Sequence, residues 1–198
     1  MSDYAYHVFI SYRRVRPFTE WLEQIFLDVF KGELAEELGE EPRLFWDKEE
    51  IPTGATWSDI LKEGLRRSCC LVPIWSSQYF RSAWCVSEWK SFAKRGPQLI
   101  VPIRWTEGLH HFPESALKVQ MADFSRFAYV GRGFKDSPEF FEMQKQTRKF
   151  ARNVAQAVGD APTFVAGDPR FEPEQAEPEL PPAKVRLQAL GVPQAATP

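Results

Sequence analysis

Apolar positions along the chain fall into two rhythms. Tyr6 to Tyr12 (YHVFISY) is a short aromatic and β-branched run closed by Arg13-Arg14 and Pro17, the pattern of a strand. Phe18, Trp21, Leu22, Ile25, Phe26, Val29 and Phe30 then recur at the spacing of one helix face, with Pro17 suited to the first turn. Arg43 to Asp47 (RLFWD) reads as a second strand, and Ile51-Pro52-Thr53-Gly54 has the proline and glycine placement of a turn. Thr56-Trp57-Ser58-Asp59 resembles a capping box, after which Trp57, Ile60, Leu61 and Leu65 share a helix face. Cys69 to Trp75 and Leu99 to Trp105 are almost continuously apolar, as strands covered on both faces are. Pro73 and Pro102 each remove a ladder donor, so an irregularity is expected at both. Trp84 to Lys94 is a helix begun by Ser82, Met121 to Phe127 supplies a fifth strand, and Ser137-Pro138 opens a helix reaching Val158.

Strands alternating with helices predict an α/β domain: a doubly wound, mostly parallel five-stranded sheet with helices on both faces. From Gly159 the periodicity stops. Eight of the 16 prolines lie beyond it, among Glu, Ala and Gln, so residues 1–158 are expected to form the domain and 159–198 a flexible proline-rich tail or linker.

Composition narrows the chemistry. At 198 residues and 43% hydrophobic content the chain can build a core, and its net charge of −2 gives no field for gathering duplex nucleic acid. Cys69, Cys70 and Cys85 form no even disulfide framework and read as small core residues in a reducing compartment. His7, His110 and His111 add no zinc spacing to them, so neither metal nor cofactor is expected. The amino terminus has no leader pattern and no apolar run has membrane-spanning length, which makes the cytoplasm the expected compartment.

In such a sheet a ligand binds beyond the carboxyl ends of the strands, where strand order reverses. Topology therefore selects Ser11-Tyr12-Arg13-Arg14, Asp47-Lys48-Glu49-Glu50 and Ser76-Ser77-Gln78. No glycine-rich dinucleotide fingerprint follows the first strand, which argues against hydride transfer, and no acidic cluster stands where a phosphoryl-accepting receiver needs one. Trp84 and Glu88, four residues apart, place a ring and a carboxylate on one helix face, with Glu88 expected at an exposed position. By itself that pair fits a core tryptophan beside a solvated acid as well as a site for a pyridine near a developing cation.

Phe9-Ile10-Ser11-Tyr12-Arg13-Arg14, Leu44-Phe45-Trp46-Asp47 with the Ile51-Pro52-Thr53-Gly54 loop, and Trp84 to Glu88, in that order, resemble the boxes of a Toll/interleukin-1 receptor (TIR) domain over about residues 4–158. The resemblance implies a flavodoxin-like sheet. It also implies a relation to the NAD-cleaving, bacterial-type members, in which the glutamate matching Glu88 is the essential carboxylate and NAD is a substrate rather than a cofactor. Ser11, Tyr12, Arg13, Asp47, Ser76 and Trp84 would then contact the substrate, and Ile51, Pro52 and Gly54 would form a loop through which copies self-associate. The implied role is an assembly-gated effector of bacterial immunity, the tail being read either as a link to a sensor domain or partner protein or as the natural end of a small protein. A catalytically inactive signalling scaffold and a protein handling another nucleotide signal are the alternatives.

Overall fold

A computed structural model describes residues 4–16, 18–46, 57–106, 108–109, 112–129, 131 and 133–168. Five strands, β1 (Tyr6–Ser11), β2 (Leu44–Phe45), β3 (Ser68–Trp75), β4 (Ile103–Arg104) and β5 (Ala122–Asp123), form one parallel sheet in the order β2-β1-β3-β4-β5. This is the flavodoxin-like order, and its direction reverses at the β1/β3 pair. All eight residues of β3 are buried, as its unbroken apolar run requires for a strand covered on both faces.

The two prolines interrupt different ladders. β3 pairs with β1 in constant register through Ser11↔Pro73, whereas its pairing to the β4 side consists of a bridge at Leu71↔Ile100 and then Ile74↔Ile103. The Leu71 and Trp75 carbonyls accept from N–H groups on the β4 side, so Pro73, between them, also faces β4 and its missing N–H opens that gap. The Pro102 carbonyl accepts from Ala122, so its missing N–H falls on the β5 side, where pairing begins only at Ile103. Two strands are shorter than their apolar runs: Pro97–Leu99 winds as a 3-10 turn before β4, and Ser125–Phe127 does so after β5.

The first helical stretch is α1 (Phe18–Trp21), a π-helical turn (Leu22–Phe26) and α2 (Leu27–Leu38), ending on Gly39 at φ 72°. A left-handed residue closing a helix is the natural place for glycine. Then follow α3 (Trp57–Arg66), α4 (Ser77–Phe80), α5 (Ala83–Arg95), α6 (Glu114–Leu117) and α7 (Pro138–Gly159), the expected Ser82 and Ser137 capping α5 and α7. Thr56, the expected cap of α3, lies outside the described residues.

The core is aromatic. Phe26, Phe30, Phe124 and Phe150 join α2, α7 and the segment after β5, with centroid separations of 5.2 Å for Phe26–Phe30 and 5.5 Å for Phe30–Phe150. Each buried phenylalanine contributes about 1.5–3 kcal/mol. Across β1, Phe9 stacks on Phe45, and α3 approaches so closely that a Cβ on Gly64 would stand 2.5 Å from the Phe45 ring. After α7 the chain runs along the amino-terminal end of the sheet: the Phe164 ring meets Tyr4 edge-on and Asp168 pairs with Arg95 at 3.1 Å. Residues 169–198 lie outside the described residues.

Candidate functional site

The switch between β1 and β3 opens a cleft at the carboxyl end of the sheet. It encloses about 470 Å³ of atom-free space, mouth included, and its walls include Tyr12, Arg13, Arg14, Trp84, Cys85 and Glu88. β1 delivers the arginine side: an apolar strand ends at Ser11, Tyr12 turns inward against Phe18, and Arg13 and Arg14 reach solvent. The other wall is α5, whose start is set by Ser82 accepting a hydrogen bond from the Cys85 N–H. That cap directs Trp84 and Glu88, one helical turn apart, into the same opening.

Glu88 is not the exposed helical acid expected from its surroundings in the sequence. It is only 4% exposed, because the first half of α5 sits on the sheet rather than in solvent. The Ser11 hydroxyl donates to Glu88 Oε2 at 2.5 Å. Ser11 Oγ also lies 2.9 Å from the Tyr79 hydroxyl, and that hydroxyl donates to the Cys85 carbonyl at 2.9 Å. Ser11 and Tyr79 are both fully interior. Burial, followed by the neighbouring Cys85 and Glu88, pushes the Tyr79 phenol well up, so its hydrogen stays in place.

The structure thus brings Tyr12, Arg13, Trp84 and Glu88 to one cleft, with Ser11 behind the carboxylate. Ser76 stands apart: its hydroxyl caps α4 by accepting from the Tyr79 N–H at 3.2 Å, and it does not line the opening. Asp47, Ile51, Pro52 and Gly54 lie outside the described residues. Sequence reasoning missed Tyr79, which sits on a helix of four residues, too short to show a period. Its one advance signal was that a buried tyrosine must find a partner for its hydroxyl.

Chemically the opening offers a carboxylate, an indole and two guanidinium groups within a largely apolar wall. That set suits a cationic or cation-forming centre at the carboxylate and an anionic group at the arginines. Among the described residues there is no cluster of three or more His, Cys, Asp or Glu able to hold a metal, and no helix long and apolar enough to cross a membrane.

Among solved structures, the chain is similar to the TIR domain of the Toll-related receptor TRR-2 from the lower metazoan Hydra magnipapillata. The identity is 18%, with 71% of this chain and 99% of that one covered and a TM-score of 0.47. It is also similar to the TIR domains of the activated Roq1 resistosome, a structure that directly recognises the pathogen effector XopQ, at 18% identity, 78% and 96% coverage and a TM-score of 0.40. No curated protein sequence matches the chain. Residues 8–135, the span from β1 to the approach of α7 that holds the whole cleft, match the family model of the TIR domain, and the chain belongs to the TIR-domain family.

Proposed function

We propose that this TIR domain cleaves NAD at the nicotinamide–ribose bond, with Glu88 as the essential carboxylate. The observation that carries the reading is the burial of Glu88 in the wall of an open cleft beside Trp84. Burying a carboxyl is costly and does nothing for a core that an apolar residue would serve as well, so its presence at an opening argues for use. The reaction needs little else. Departure of nicotinamide turns a cationic pyridinium into a neutral molecule, so no general acid is required. A fixed negative charge near the ribose stabilises the oxocarbenium-like centre left behind. Arg13 and Arg14 at the rim suit the pyrophosphate, and the Trp84 indole suits the flat nicotinamide end.

The cleft is smaller than the usual ligand pocket and leaves much of a dinucleotide uncovered. Catalysis needs that substrate held in a narrow range of geometry, and a second copy supplying its Asp47–Ala55 loop would close the gap. The test is nicotinamide release from NAD across a wide protein dilution series, with Ile51→Asp in parallel. Specific activity should rise with concentration, and Ile51→Asp should depress it without lowering Tm. Flat specific activity together with a fully active Ile51→Asp monomer would show that each domain works alone. A wild type inert even when concentrated or crowded would leave assembly without catalysis as the function.

A further inference from the structure

The oxygens behind Glu88 do not have enough hydrogens for the contacts they make. Three contacts run in series, Glu88 Oε2 to Ser11 Oγ, Ser11 Oγ to Tyr79 Oη, and Tyr79 Oη to the Cys85 carbonyl, and the two hydroxyls bring one hydrogen each. When Glu88 is ionised, the Ser11 hydrogen points at the carboxylate. The single Tyr79 hydrogen then faces two acceptors, Ser11 Oγ and the Cys85 carbonyl. When Oε2 carries a proton, Glu88 donates to Ser11, Ser11 to Tyr79 and Tyr79 to Cys85, and every contact is filled. The heavy atoms occupy the same places in both cases. The row is a slot for one additional proton, closed to solvent at the Ser11 and Tyr79 end and opening on the cleft through Glu88.

We infer that Ser11 and Tyr79 are positioning residues for the second half of the reaction, holding Glu88 ready to accept the proton released when water attacks the ribose. The inference rests on the proposed NAD cleavage and deepens it. In the first half the C1′–N bond breaks, its electron pair stays on the pyridine nitrogen, and nicotinamide leaves neutral; no proton moves. In the second half a water oxygen bonds to C1′ and one of its protons must go elsewhere. Glu88 takes it at Oε2, the Ser11 and Tyr79 hydrogens rotate one place along the row, and the proton later returns to solvent by the reverse path. The buried phenol keeps its own hydrogen throughout, so each hydroxyl reorients without giving up its proton.

This division separates two reactions of the same site. Hydrolysis needs a proton acceptor, whereas exchange of nicotinamide for an added neutral pyridine does not, since the incoming nitrogen carries no proton to lose. The experiment measures both with full-length protein, using NAD alone and NAD with a saturating pyridine analogue. Tyr79→Phe removes one hydroxyl from the row and leaves Ser11 free to serve the ionised carboxylate. Hydrolysis should fall about tenfold, less than the ~10²–10⁴ of losing acid–base assistance outright because Glu88 itself remains, while exchange stays within about twofold. Ser11→Ala also takes away the hydroxyl that serves the ionised carboxylate, so it should lower both reactions, hydrolysis the more, and the wild-type isotope measurement decides the matter if Tyr79→Phe does not fold. In the wild type, hydrolysis should be slower in D₂O, with the linear proton inventory of one proton in flight, and exchange should show no solvent isotope effect.

Parallel loss of both reactions in a folded variant, or wild-type hydrolysis with no solvent isotope effect, would reduce Ser11 and Tyr79 to packing residues. A wild type that neither hydrolyses nor exchanges would remove the NAD-cleaving reading itself, and this inference with it.

Discussion

The two ends of the sheet bury ionisable groups in opposite ways. At the amino-terminal end, the Arg95 side chain is 2% exposed and makes four hydrogen bonds: it donates to the Ser68 carbonyl at 2.7 Å, to the Arg66 carbonyl at 2.9 Å, and to both the carboxylate and the carbonyl of Asp168. Tyr4 and Phe92 add their ring faces. One cation thereby joins the end of α3, the start of β3, the end of α5 and the chain beyond α7. At the carboxyl-terminal end, Glu88 meets the neutral hydroxyl of Ser11 and borders an opening. A buried charge whose donors reach several elements holds those elements together, whereas a buried acid in the wall of a cleft stands where a ligand can reach it. Arg95 and Glu88 lie on the same helix, so α5 is anchored at one end and exposes its chemistry at the other.

The largest effect that sharpens this contrast is on turnover. Glu88→Gln keeps the shape and an acceptor for Ser11 but gives up the charge, so nicotinamide release should fall by about 10²–10³, roughly 3–4 kcal/mol of barrier. Its Tm should change little, because Gln keeps the volume and an acceptor for Ser11. An assay of nicotinamide beside a thermal melt checks both, and full turnover in a folded Glu88→Gln protein would take Glu88 out of its role.

Arg95→Ala should do the reverse. Loss of the guanidinium strands two carbonyls and releases Asp168, at a cost of about 2–3 kcal/mol read from the urea midpoint. Asp168→Asn, on the half-exposed side of the pair, should cost about 1 kcal/mol or less. An Arg95→Ala protein as stable as wild type would break the comparison.

The smallest effect concerns acid. His7, also at the amino-terminal end, accepts the Arg43 N–H on Nδ1 at 3.0 Å, while Nε2 faces Glu40 at 3.2 Å. Burial first, then the Arg43 guanidinium, holds its pKa below the ordinary 6.5, with Glu40 acting in the opposite sense. The unfolded chain therefore takes up the proton first. The contribution of neutral His7 is fully present above about pH 6.5 and is lost as pH falls through the lowered value of the folded state. Melting between about pH 7.5 and 5.5 should show this decline, and His7→Asn, which keeps an acceptor near Nδ1 but does not titrate, should flatten it. An unchanged slope in His7→Asn would assign the acid sensitivity elsewhere.

Much of the molecule was legible because its signals are local. The β1 and β3 runs, the helix faces and the serines that cap α5 and α7 all declare themselves within a few residues. Pro73 and Pro102 announced an irregularity at each, although only the pairing showed which ladder each one interrupts. The lengths of β4 and β5 were not legible, since apolar runs such as Leu99 to Trp105 read alike as a strand or as a buried 3-10 turn leading into one.

The sequence alone determined the alternation of elements, hence the α/β class, and the boxes that mark a TIR domain, because periodicity and box order are properties of a line of residues. Tertiary structure alone decided that Glu88 is buried, that Ser11 and Tyr79 meet behind it across 68 residues of chain, and that Ser76 spends its hydroxyl on a helix cap. The reason is physical: burial and hydrogen-bond partners depend on which surfaces the folded sheet brings together, and no spacing within one helix specifies what packs against it.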